Sequence, residues 1–170
     1  MEQTTTNPLK LSALSGKGDY ALSGNGKELG QLNYTNWLMG KARIQVEGST
    51  IELKPVHIFK NTIDLIKDGN NIGQLMFSAD LTMTIELGHT DDPHHNTFTI
   101  KNTGVFNPKF ILCDAAKNTL CTFRGKNNWR KFKHDFFIDD LKEYPHIDLP
   151  VLLLCSAYAI NIFFERISAL

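Results

Sequence analysis

Every second residue is apolar in Ala42-Arg43-Ile44-Gln45-Val46, the spacing of a half-buried strand. Short runs of this kind recur along most of the chain and are punctuated by Gly, Asn, Asp and Lys. Three of them align: "YALSGNGKELGQL" (20–32), "IDLIKDGNNIGQL" (63–75) and "FILCDAAKNTLCTF" (110–123). In each, an apolar run meets a turn and a second apolar run follows. Leu22, Leu65 and Leu112 correspond, as do Gly30, Gly73 and Leu120, with offsets of 43 (65 minus 22) and 47 (112 minus 65) residues. Asn25-Gly26 and Asp68-Gly69 supply the positive φ of tight hairpins. Gly30 and Gly73 predict a bulge or a close backbone approach just after the turn. Further strand-like runs span 37–46, 50–59, 81–87, 97–106 and 129–138. The pattern predicts about nine to twelve strands and no helix before residue 139.

The run "LPVLLLCSAYAINIFFE" (149–165) breaks this rhythm, being apolar on every side. A membrane-spanning helix needs about 20 apolar residues. Residues 151–164 number 14 and include Ser156 and Asn161, with Glu165 and Arg166 following. Pro150 suits a first helical turn, and Asp148 suits the cap before it. A helix apolar all round belongs in a core or a membrane, and this length favours the core. Short, evenly spaced strands favour a closed barrel or a sandwich, and the chain is too short for a propeller of about four blades. In an otherwise β chain the natural container for such a helix is a barrel, so the pattern predicts a closed antiparallel barrel around a C-terminal helix. The helix is expected over about 150–167, in one domain at 18–170 preceded by a flexible lead at 1–17. A short tail anchor is the competing reading of the same run.

At 170 residues, 42% apolar and 21% charged, the chain suits one globular domain. Its 18 basic and 18 acidic residues balance, so no global field draws it to nucleic acid or an anionic membrane. Any charge-driven function has to come from local asymmetry. Cys113, Cys121 and Cys155 show no CxxC spacing and read as buried free thiols in a reducing compartment. The start "MEQTTTNPLKL" has no basic and apolar leader pattern, and Glu2 stands where myristoylation needs glycine. A cytoplasmic location is expected, with peripheral membrane contact.

Local asymmetry is found in "RGKNNWRKFKH" (124–134). It holds Arg124, Lys126, Arg130, Lys131 and Lys133 with Trp129 and Phe132 interleaved, and no acid. A basic loop with an aromatic anchor suits anionic headgroups, each cation contributing about 1 kcal/mol near a charged leaflet. Single-stranded nucleic acid could use the same residue types, but with no net positive charge no nucleic-acid partner is expected. The plain alternative is a solvated hairpin whose Trp129 caps the barrel. Strand alternation would instead put Phe132, Phe136 and Ile138 on the barrel-lining face and Trp129, Lys131 and Lys133 on the other, with the lysines pointing to solvent and Trp129 exposed.

"HTDDPHH" (89–95) gathers three histidines and two aspartates, but adjacent rings on an extended segment point apart, and a polar loop is the default. No metal and no cofactor is expected. No nucleophile elbow, phosphate loop or zinc helix motif occurs, so no catalytic residue is assigned and no enzyme is expected.

The segment "HIDLPVLLLCSAYAINIFFE", with Asp148, Pro150, Ala157, Ile160, Phe163, Phe164 and Glu165, resembles the C-terminus of the phospholipid scramblases. Hairpins of the form "DGNNIGQL" are also similar to those of the wider tubby-like group, which includes the tubby C-terminal domain and the plant LURP-one-related proteins. The resemblance runs from residue 18 to the C-terminus on loose, apolar motifs, and so speaks for fold more than function. It implies a mainly β architecture, a closed antiparallel barrel of about 12 strands around a central hydrophobic C-terminal α-helix, and association with phospholipid. The scramblases' Pro-rich N-terminal region and lipidated cysteine cluster have no counterpart here. The acidic stretch "DFFIDDLKEYPHID" offers Asp135, Asp139, Asp140, Glu143 and Asp148, but no D-x-D-x-D-G calcium loop. The expected function is a non-enzymatic module binding anionic phospholipid headgroups through Arg124, Lys126, Trp129, Arg130, Lys131 and Lys133. A soluble scaffold with a protein partner and a tail-anchored scramblase-like protein are the alternatives.

Overall fold

The computed structural model describes residues 8–88 and 96–170. In it, twelve strands precede one helix: β1 (Leu9–Ala13), β2 (Tyr20–Gly24), β3 (Lys27–Asn36), β4 (Lys41–Val46), β5 (Ser49–Pro55), β6 (Thr62–Lys67), β7 (Asn70–Phe77), β8 (Met83–Leu87), β9 (Asn96–Asn102), β10 (Lys109–Cys113), β11 (Thr119–Asn128), β12 (Lys133–Asp139) and α1 (Leu149–Ser168). Each strand pairs antiparallel with its sequence neighbours, and β1 pairs with β12 to close the barrel.

The three aligned runs are the hairpins β2–β3, β6–β7 and β10–β11. The register slips immediately after Leu22, Leu65 and Leu112, so one bulged hairpin occurs three times around the barrel. Asn25-Gly26 and Asp68-Gly69 both turn with positive φ, as the pattern predicts. The corresponding glycines are needed for close approach. A Cβ on Gly30 would lie 2.7 Å from the Gln45 carbonyl of β4, and one on Gly73 would lie 2.2 Å from the Glu86 carbonyl of β8.

One expectation is corrected. The lead at 1–17 contains β1, and Leu9 and Leu11 face Ile138 and Phe136 of β12. The Asp135 carboxylate accepts from the Ala13 amide at 2.8 Å and meets Lys10 Nζ at 3.1 Å. Leu9-Lys10-Leu11-Ser12-Ala13 alternates apolar and polar residues as β4 does, so the signal stands in the sequence, within what reads as a flexible lead. A pairing partner more than 120 residues away holds them in place.

The helix begins where expected. Asp148 caps it by accepting from the Val151 amide at 3.3 Å, and proline stands in the first turn. Residues 151–163 are all buried without interruption. Only a helix surrounded on every side has that pattern, and β2, β3, β4 and β8 supply its main contacts. The helix is long and apolar enough to cross a membrane, yet 72% of its apolar window lies inside the barrel.

Its few buried polar groups are matched by carbonyls of the helix and of the loops around it. Ser156 Oγ donates to the Leu152 carbonyl at 2.8 Å, and Tyr158 OH donates to the Gly40 carbonyl at 2.7 Å. Asn161 Nδ2 donates to the Gly18 carbonyl at 2.9 Å. Leu154→Ala is expected to lower stability by about 2–5 kcal/mol through the cavity it leaves. Tyr158→Phe strips the Gly40 carbonyl of a buried donor and should cost about 1–3 kcal/mol. Urea unfolding followed by circular dichroism measures both.

Candidate functional site

Because each strand reverses its neighbour, the loops alternate between the two ends of the barrel. Loops 14–19, 37–40, 56–61, 78–82, 103–108 and 129–132 share one end. α1 starts at the other end, beyond β12, and brings its C-terminus out at this one. Ties to these loops fix that exit. Lys60 Nζ donates to Glu165 Oε1 at 2.6 Å, and Arg166 Nη2 donates to Asn61 Oδ1 at 2.7 Å and the Lys60 carbonyl at 3.2 Å.

The basic hairpin β11–β12 projects from the exit end. Its arms pair Lys126 with Asp135 and Asn128 with Lys133, and residues 129–132 form the turn. Phe136 and Ile138 line the barrel as expected. Phe132 does not: it sits at φ +53° in the turn and is 88% exposed. Trp129, 79% exposed, does not cap the barrel either. The turn interrupts the alternation that would have aimed Phe132 inward, and β12 starts only at Lys133.

The five cations separate into three kinds. Lys126, Arg130 and Lys131 are exposed, and among the described residues none has an ion-pair partner. Arg124 is committed to the barrel wall, its Nε 2.9 Å from Asp139 Oδ2 and its guanidinium 5.1 Å from the Phe137 ring centre. The Asp139 hydrogen bond and charge raise its pKa further. Lys133 is half-buried rather than solvent-facing, and burial lowers its pKa while the Glu165 charge opposes that fall.

Side chains missed by the sequence reading complete the exit end. Among the described residues, every exposed large apolar side chain lies in one of its loops or on the emerging helix end. Loop 37–40 shows Trp37, Leu38 and Met39, and loop 56–61 shows Val56, Ile58 and Phe59. Loop 103–108 shows Val105 and Phe106, which are 88% and 96% exposed. Leu14, Trp129, Phe132, Ile167 and Leu170 complete the set. The signal for them was present in sequence, because the runs 37–46, 50–59, 97–106 and 129–138 all overshoot the observed strands by these residues.

Charge is also divided between the ends. Lys17, Arg130 and Lys131 stand in the exit-end loops, with Lys41, Lys101 and Lys109 at adjoining strand ends. The acids in those loops, Asp19 and Asp80, are occupied locally: Asp19 accepts from the Tyr34 amide at 2.6 Å and Asp80 from the Thr82 amide at 3.0 Å. The opposite end carries Glu47, Asp68, Asp114, Asp140, Glu143 and Asp148 against Lys117 and Lys142 in its loops, with Lys27 and Lys67 at adjoining strand ends, among the described residues.

The acidic stretch does not converge on a cation site. Asp135 serves Lys10, Ala13 and Asn128, Asp139 serves Arg124, and Asp148 caps α1. The candidate metal run at 89–95 lies outside the described residues. All three thiols are buried, and burial pushes Cys121 and Cys155 up to about 12, far from a thiolate nucleophile at neutral pH. No family model, curated protein or solved structure matches the chain.

Asp135 ties the hairpin base to β1. Burial alone would raise its pKa, but hydrogen bonds from Ala13, Asn128 and Lys10 outweigh that and hold it below its ordinary value. A carboxylate lowered in the folded state stabilises above its ordinary range, and that stability fades as pH falls through the lower folded value. Asp135→Asn is therefore expected to lose stability at neutral pH and to flatten the acid limb below about pH 4. Urea midpoints measured across pH test this, and parallel acid limbs for variant and wild type would contradict it.

Proposed function

We propose that this protein binds the surface of anionic phospholipid membranes with its exit end down, as a binding module and not an enzyme. The observation that carries the reading is the coincidence of two segregations: the exposed apolar side chains and the unpaired hairpin cations occupy the same end of the barrel. Aromatic and aliphatic tips suit the headgroup boundary, where their removal from water contributes about 25 cal/mol per Å². Cations beside them add about 1 kcal/mol each against an anionic leaflet. The resemblance of the terminal segment to scramblase-like proteins and of the hairpins to the tubby-like group points the same way, and the reading implies a cytoplasmic, peripheral location. The helix stays in the barrel throughout this reading, because it fills the core and its exit is tied to Lys60 and Asn61. An apolar patch of this kind also serves protein partners, and the cations favour the lipid surface over that alternative.

Co-sedimentation with vesicles of phosphatidylcholine, with and without phosphatidylserine, tests the proposal. Binding should need the anionic lipid and weaken as salt rises. Removing two charges in Arg130→Gln/Lys131→Gln should weaken it about 30-fold, given about 1 kcal/mol per cation. Trp129→Ser/Phe132→Ser should weaken it at every salt concentration. Salt-independent binding would overturn the anionic-headgroup proposal, and no binding would overturn it in favour of a protein partner.

A further inference from the structure

Beside the emerging helix, a cleft of about 380 Å³ opens between loop 14–19, the start of loop 37–40 and the first residue of β12. Its volume falls in the range of small-ligand sites, about 300–1,000 Å³. Lys17 and Lys133 line it, with Glu165 and the aromatic walls of Tyr34, Trp37 and Phe164. We propose that this cleft holds a phosphate ester carrying an ammonium arm, the phosphate on Lys17 and Lys133 and the ammonium on Glu165 and the aromatic faces. The inference rests on the membrane reading only for its source of ligand, since phospholipid headgroups such as phosphoethanolamine have this chemistry and so do soluble phosphodiesters.

The walls are built before a ligand arrives. Tyr34 stacks on Tyr158 with centroids 5.7 Å apart, and Phe164 stacks on His134 at 5.4 Å. Loop 14–19 is held by Ser15 Oγ, which donates to Asp19 Oδ2 at 2.6 Å and accepts from the Lys17 amide at 3.1 Å. Glu165 is positioned through Oε1 by Lys60 at 2.6 Å. Lys133 is half-buried and, among the described residues, has no carboxylate within ion-pair distance. A partly desolvated ammonium with no carboxylate in direct contact is costly, and a bound phosphate relieves that cost.

The mixed signs select the ligand. A bare phosphate would face the Glu165 carboxylate, and a simple amine would face two lysines. A molecule with both charges satisfies each wall, and an ammonium over Tyr34 or Trp37 gains cation–π attraction.

The test uses the full chain without vesicles, titrated by calorimetry with glycerophosphoethanolamine, inorganic phosphate and ethanolamine. The diester should bind saturably and at least about tenfold tighter than either fragment, a gap worth about 1.4 kcal/mol. Lys133→Met and, should that variant not fold, the exposed Lys17→Ala should each weaken diester binding at least about fivefold. Equal binding of inorganic phosphate, no saturable diester binding, or unchanged affinity in both variants would overturn the inference. The source is separated by a second arm, in which phosphatidylglycerol vesicles are compared with and without phosphatidylethanolamine. Tighter binding to the mixed vesicles, competed away by the soluble diester, identifies the lipid headgroup. Diester binding with no such increment supports the cleft and identifies a soluble ester as its ligand. Vesicle binding without diester binding removes the cleft inference alone, and diester binding without vesicle binding removes the membrane reading alone.

Discussion

Twelve strands closed into a barrel enclose more space than a small barrel's inward side chains would fill. The apolar helix α1 fills that space, and neither part is stable in water without the other. The inward residues of every strand need a surface to pack on, and the helix needs a wall on all sides because residues 151–163 leave no face for solvent. Fully buried Leu152, Leu154 and Ile160 each contribute about 1.5–3 kcal/mol relative to exposure. Ser156, Tyr158 and Asn161 interrupt the apolar surface without loss, because a carbonyl of the helix or of the loops around it accepts from each of them.

Filling the barrel in this way makes its two ends unlike. At one, Asp148 caps the helix within a set of acidic turns, some only two residues long. At the other, the last turns of the helix are tied by Lys60, Asn61 and Gly18, and the loops are mostly longer. Longer loops have room to hold side chains away from the core, and here those side chains are large and apolar. A soluble monomer rarely clusters such residues in one place unless something else covers them. The chain's balance of 18 basic and 18 acidic residues conceals this division, since charge is partitioned along the barrel axis rather than in the total.

The basic hairpin shows how position changes what a residue type is for. Arg124, Lys126, Arg130, Lys131 and Lys133 are equivalent as composition. In the fold, Arg124 braces Asp139 and Phe137 on the barrel wall. Arg130 and Lys131 project from the turn beside Trp129 and Phe132. Lys133 turns toward the cleft that Glu165 shares. Only the projecting pair behaves as a plain electrostatic foot, while Lys133 belongs to a shaped site whose opposite wall comes from the helix.

Alternation of period two, the hairpin repeat and the apolar terminal run pointed to a closed barrel around a helix, but the helix is long enough to span a membrane and only its burial decided for the core. Each of those patterns is a local record of which side chains avoid water. The same record was misleading at the strand ends. Runs 37–46, 50–59, 97–106 and 129–138 read as strand throughout because apolar residues signal burial without saying what covers them. β1 was missed although Leu9, Leu11 and Ala13 alternate with Lys10 and Ser12; what the sequence does not show is its partner β12, more than 120 positions away, which turns the lead into a strand of the barrel. Only the tertiary structure decided that the unexplained apolar residues share one end, that Arg124 is spoken for, and that Lys17, Lys133 and Glu165 line one cleft. Those facts depend on the parity of antiparallel loops and on where the helix emerges, and no local window of sequence contains either.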